Sequence, residues 1–109
     1  SMSSQYLYRI APTRDGFLLG STPEEDAIVS EHSQYLKALT EQGIVLLAGR
    51  TLHTDETSHG LVILKADSEE QARALMENDP AVKVGVFHAE LLPFSVALAS
   101  KKILLDSET

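Results

Sequence analysis

The sequence contains no cysteine. That excludes disulfides, thiolate nucleophiles, iron–sulfur clusters and thiolate zinc sites together. It also suits a reducing cytoplasm, which is the location expected from the sequence. Positive charge is scarce: 9 lysines and arginines face 16 aspartates and glutamates, a net charge of −7 at pH 7. A chain this acidic, without a lysine–arginine cluster, repels phosphate backbones, so nucleic acid is not an expected partner. No run approaches the ~18 apolar residues that cross a bilayer, and the polar start does not read as a signal peptide. Membrane association is therefore not expected. Low-complexity tracts and internal linkers are absent as well, and Ser1 ahead of Met2 reads as an expression scar.

What is present is an ordinary globular mix, 43% hydrophobic and 23% charged over 109 residues, enough for one domain with one core. Tyr6–Pro12 alternates, with Tyr6, Tyr8 and Ile10 on one side and Leu7, Arg9 and Ala11 on the other, and so predicts a strand. Thr22, Pro23 and Glu25 form a helix start with capping-box spacing. Ile28, His32, Tyr35, Leu36 and Leu39 then recur at helical spacing up to Gly43. The apolar run Ile44–Leu52, the polar loop His53–His59 and Leu61–Lys65 read as an antiparallel pair of strands with a long connection. Ser68 and Gln71 open a second helix with Ala72, Leu75 and Met76 as its buried face, and Pro80 is read as ending it. Val86–Phe94 makes a fourth strand.

The order βαββαβ predicts an α+β, ferredoxin-like domain over residues 5–95: a four-stranded antiparallel sheet with both helices on one face. Residues 96–109 form a C-terminal tail with no assigned structure. Neither IVLLA nor LVIL alternates, so these strands are expected to be buried on both faces. Two helices cover only one, and the second face is expected to meet another copy in a homodimer.

Several side chains could carry chemistry. His32 lies on the apolar stripe of the first helix, either as a core-edge residue or as a general acid/base, for which an unperturbed pKa near ~6.5 is well placed. Asp79 is read as closing the second helix in an Asp-Pro turn, where its charge faces the unfavourable end of the helix dipole; that conflict favours another role. Antiparallel helices on one face would allow the two to meet. Arg9, on a central strand, needs a partner: Glu90 on the neighbouring strand, or a substrate carboxylate or phenolate. Arg50 has the same two readings, an ion pair or substrate contact against a solvated strand end. Tyr8 could offer a hydroxyl to a cleft or simply fill the core. His88 and Glu90 share one strand face and either border the cleft or stay solvated. His53, Asp55, Glu56 and His59 match no established zinc spacing, so no metal is expected.

The segments EHSQYLKALTEQGIVLLAGRT and ADSEEQARALMENDPAVKVGVFHAELLPF resemble the YCII-related (YciI-like) family. The resemblance spans most of Tyr6–Phe94. Its most specific pieces are the helix-one histidine, the stretch ending at Gly49, and D-P-x-V-x-x-G-V with a later P-F. It implies a dimeric α/β barrel of ferredoxin-like subunits, and a cleft whose suggested catalytic centre is a His–Asp pair, here His32 and Asp79. Two positions depart from the family pattern: Arg50 stands where proline often follows the glycine, and Ala81 stands where an aromatic residue often follows Asp-Pro. The resulting expectation is a cofactor-independent enzyme that moves a proton in elimination, isomerisation or hydrolysis of a small-molecule ligand, a small polar or aromatic acid. The alternative is a non-catalytic dimer that binds a metabolite or a protein. Arg9, Tyr8, Arg50 and His88 are the expected substrate contacts.

Overall fold

A computed structural model describes residues 4–103. Its elements are β1 (Ser4–Pro12), a 3-10 turn (Phe17–Leu19), α1 (Pro23–Glu41), β2 (Val45–Arg50), β3 (Gly60–Ala66), α2 (Glu69–Glu77), α3 (Pro80–Lys83) and β4 (Phe87–Phe94). The sheet order is β2-β3-β1-β4 with every pair antiparallel, as the split βαβ pattern requires. Among the described residues no helix is long and apolar enough to cross a membrane.

Both long helices begin where side-chain chemistry dictates. The Thr22 side chain accepts the Glu25 N–H, and the Glu25 carboxylate accepts the Thr22 N–H, closing the capping box. At α2, Ser68 accepts the Gln71 N–H, but the Gln71 side chain reaches back one residue further, to the Asp67 N–H. The helix stripe behaves as spaced: His32 and Leu39 are buried, and Tyr35 and Leu36 are half-buried. Helices and sheet enclose a core of Tyr8, Ile10, Leu39, Val45, Val62, Leu64, Ala72 and Met76. Burying side chains of this size stabilises the fold by roughly 1.5–3 kcal/mol each before conformational entropy is counted.

The far face of the sheet is not covered by the helices of its own chain. In β3, Val62 and Leu64 are buried under the helices, while Leu61 and Ile63, facing the other way, are only half-buried. On β2 a register shift inserts Leu46 between Val45, opposite Leu64, and Leu47, opposite Ile63. Leu46 and Leu47 stay exposed. These strands are therefore not buried on both faces within one chain. Their continuous apolar runs leave an open apolar sheet face at Leu47, Ile63 and Leu92, around a buried Leu7.

The segment between β1 and α1, with no structure assigned from its sequence beyond two glycines, folds into the 3-10 turn. Arg14 latches it: its guanidinium donates twice to the Glu25 carboxylate, at 2.8 and 2.9 Å, and once to the Gly20 carbonyl at 2.8 Å. The Arg14 guanidinium, and then the Thr22 N–H, lower the Glu25 pKa to about 2 from its ordinary 4.5. A depressed carboxylate stabilises the fold above its ordinary value, and that contribution fades as pH falls toward its folded value. Glu25→Gln should therefore lower the melting temperature at pH 7. The gap from wild type should close between about pH 4.5 and pH 2 in thermal melts. A gap that persists at the acid end means the ion pair is not its source.

After β4 the chain continues without regular structure to a turn at residues 101–103, tied near its start by the Val96 N–H to the Gln5 side chain at 3.2 Å. The tail expected over 96–109 is described only that far; residues 104–109, like Ser1 and Met2, lie outside the described residues.

Candidate functional site

His32 and Asp79 meet. The imidazole Nδ1 lies 2.8 Å from both Asp79 carboxylate oxygens. Asp79 is fully buried and His32 is 8% exposed. Two further donors converge on the same carboxylate: the Tyr8 hydroxyl on Oδ2 at 2.9 Å and the Ala81 N–H on Oδ1 at 3.0 Å. An ionised carboxylate only accepts, so the shared hydrogen belongs to Nδ1 and fixes the tautomer. Nε2 is then the nitrogen left to act. No buried side-chain polar atom among the described residues lacks a partner, and Nε2 makes no hydrogen bond, so it is open to the cleft.

Local sequence explains how Asp79 gets there, and corrects the earlier reading of it. Asp79 does not close α2, which ends at Glu77 with Asn78 as its cap. It is the N-cap of the short helix α3, with Pro80 in the first position. Its charge faces free N–H groups rather than carbonyls, so the dipole conflict does not exist. The same proline that stops one helix starts the next.

Tyr8 is also placed differently from the expected cleft contact. It is 1% exposed, and its hydroxyl is spent on Asp79. Burial, and then the Asp79 charge, raise its pKa far above the ordinary tyrosine value, which keeps the hydroxyl a donor. The same two causes raise Tyr35, whose hydroxyl donates to the Leu75 carbonyl. Phe87 meets the imidazole edge-on, with ring centroids 5.3 Å apart, and Phe17 from the 3-10 turn packs against Phe87 at 5.8 Å. Neither phenylalanine stands out in the sequence. The clue that could have found Phe87 is its alternation with His88, which puts it on the helix-facing side.

His32 opens into a cleft of about 670 Å³ between α1 and the ends of β2 and β3, walled by Phe17, Leu36, Val62 and Phe87, with Arg50 among its lining residues. Arg50, Gly60 and Ile10 lie in one cross-strand row. A Cβ on Gly60 would stand 3.0 Å from the Ile10 side chain, so the missing side chain is what lets Ile10 pack closely against the β3 backbone. Arg9 and His88 are not here. They line a second, adjoining cavity of about 1100 Å³, which shares Ile10, Phe17 and Leu18 with the first and adds Glu90, Asp55 and Glu56. Arg9 and Glu90 are direct cross-strand neighbours, yet no ion pair joins them among the described residues. The loop carboxylates and histidines do not gather either: no group of three or more His, Asp or Glu able to hold a metal occurs among the described residues. His59 donates Nδ1–H to the Thr57 carbonyl, and Asp55 accepts from Thr57, which lowers its pKa.

Comparison with known proteins supports this geometry at the level of family and fold. Residues 6–95 match the YCII-related domain. The chain belongs to the YCII-related family. Among solved structures it is similar to 5-chloro-2-hydroxyhydroquinone dehydrochlorinase from Burkholderia phenoliruptrix AC1100, determined with 2,5-dihydroxybenzoquinone. That likeness has 23% identity and a TM-score of 0.60, and covers 83% of this chain and 93% of that one. It is also similar to an uncharacterized protein from Thermotoga maritima, with 14% identity and a TM-score of 0.53, covering 86% of this chain and all of the other. No curated protein matches. The α+β, ferredoxin-like fold is shared with these structures, and the YCII-related match spans nearly all of the described chain.

Proposed function

We propose that this YCII-related protein is a small-molecule enzyme in which His32 transfers a proton without a cofactor, in an elimination, isomerisation or hydrolysis. The observation that carries the reading is the tautomer lock. A buried carboxylate holding Nδ1–H, with Nε2 turned to an apolar-walled cleft, is the arrangement a general acid/base needs. Asp79 orients the ring and stabilises the imidazolium formed in the reaction. The likeness in fold to a dehydrochlorinase agrees with elimination as one such outcome. A module that only binds a metabolite would need the cleft but not the paired histidine.

The reaction class can be tested before the substrate is known. In heavy water, deuterium uptake next to the carbonyl of small keto acids, followed by proton NMR, should run faster with the protein than without it. His32→Ala should abolish the difference, and equal rates for wild type and His32→Ala would reject the assignment.

The working unit is proposed to be a cytoplasmic homodimer joined through the open sheet face. Leu47 and Leu92 remain 40% exposed there, beside half-buried Leu61 and Ile63. Apolar surface of this kind on a central sheet marks an interaction surface. Light scattering at micromolar concentration should give about twice 11.9 kDa; a monomeric mass would remove the argument.

A further inference from the structure

We propose that the His32 cleft selects small organic monoanions, with Arg50 as the residue that recognises the charge. This rests on the reading of that cleft as the substrate site and adds the chemical class it takes.

The argument begins with charge. The chain carries a net −7, so its overall field disfavours anions, and only a local cation can hold one. Among the described residues, Arg50 is the sole lysine or arginine lining the His32 cleft. It forms no ion pair with any carboxylate among the described residues. A guanidinium presents a planar fork that binds a carboxylate or phenolate through paired hydrogen bonds, and here the fork is not already engaged.

The other charges of the cleft do not cancel it. Asp26, the one carboxylate among the described residues that line it, sits in the first turn of α1, where the helix N-terminus stabilises negative charge, and it already accepts the Ser21 hydroxyl. Asp79 lies behind His32, engaged by three donors. His59 has committed Nδ1–H to the Thr57 carbonyl. The larger, adjoining cavity makes a poor rival. Its arginines, Arg9 and Arg14, stand among Asp15, Asp55, Glu56 and Glu90, and Arg14 is bound to Glu25. An anion there would meet more repulsion than attraction.

Position completes the case. Arg50 shares a cross-strand row with Gly60 and Ile10 and lines the same cleft as His32. The opposite wall offers the edge-to-face pair of Phe87 and Phe17 for the apolar body of a ligand. A molecule with a flat apolar ring and one carboxylate or phenolate would then span from Arg50 toward the His32 nitrogen.

Benzoate and its neutral counterpart benzamide separate the charge from the ring. In NMR titrations of isotope-labelled protein, benzoate should shift the backbone amides of Gly49, Arg50 and Gly60. Benzamide should do so about tenfold more weakly, as the loss of one charge-assisted contact would produce. Arg50→Gln should bring benzoate down to the benzamide level and leave benzamide unchanged, while Arg50→Lys should recover part of the loss. Equal binding of the two probes overturns the proposal. So does benzoate binding unaffected by Arg50→Gln, shifts confined to Arg9 and His88, or no shift from either probe at tens of millimolar. His32→Ala should still bind benzoate, so a failure of the proton-transfer chemistry is separate from a failure of anion recognition.

Discussion

Replacing Asp79 with alanine is expected to lower folding stability by roughly 3–5 kcal/mol, measured by urea denaturation. The carboxylate is fully buried and accepts from His32, Tyr8 and the Ala81 N–H. Its removal would leave the buried Tyr8 hydroxyl and the Ala81 N–H without an acceptor, at about 1–3 kcal/mol for each such group. It would also remove the cap of α3. Asparagine is the informative comparison. Its single carbonyl keeps one acceptor, but its amide hydrogens oppose the donors already present, so Asp79→Asn should fall between wild type and Asp79→Ala. A loss under about 1 kcal/mol for Asp79→Ala would mean that the interior admits water to these groups, against the burial seen.

The second large effect is on rate. Once a substrate has been found, His32→Ala should lower turnover by about 10²–10⁴, the usual contribution of a positioned acid/base. Asp79→Asn should approach the same loss, because it releases the tautomer that presents Nε2 to the cleft. The double variant should be scarcely worse than the poorer single one, since the two act as one unit. Fully multiplicative losses would show that Asp79 works independently of the imidazole. Turnover unchanged in His32→Ala would remove the pair from the chemistry altogether.

Much of the architecture is readable from local chemistry. Thr22 with Glu25 and Ser68 with Gln71 mark the helix starts because capping is a matter of a few adjacent residues. The stripe through His32 and Leu39 marks the buried side of α1 for the same reason. The alternation of Tyr6, Tyr8 and Ile10 correctly puts Tyr8 on the helix-facing side of β1. It does not reveal that Asp79, 71 residues away, takes its hydroxyl. Asp-Pro was misread because proline's missing N–H suits a helix start and its steric demand suits the end of the preceding segment; only the path of the chain decides. Arg9 and His88 read as contacts of the same cleft as Arg50, whereas cross-strand pairing puts Arg50 in the row of Ile10, and Arg9 and His88 in the alternate rows that face the other side of the sheet. The pairing of Arg14 with Glu25 is equally invisible, because the intervening glycine turn has no periodicity to read.

The cleft is built from two kinds of material. Asp79 and Tyr8 are sealed in the interior, and their donors and acceptors leave no room for substitution. Arg50, Leu18 and Ser33, by contrast, are exposed residues on a strand end, a turn and a helix flank. Changes at such positions usually shift stability by no more than about 0.5 kcal/mol. Selection can therefore rewrite which molecule enters while the proton-handling centre stays as it is. On the proposed function, the choice of substrate would vary with changes at the rim, while the type of reaction would be held by the buried pair.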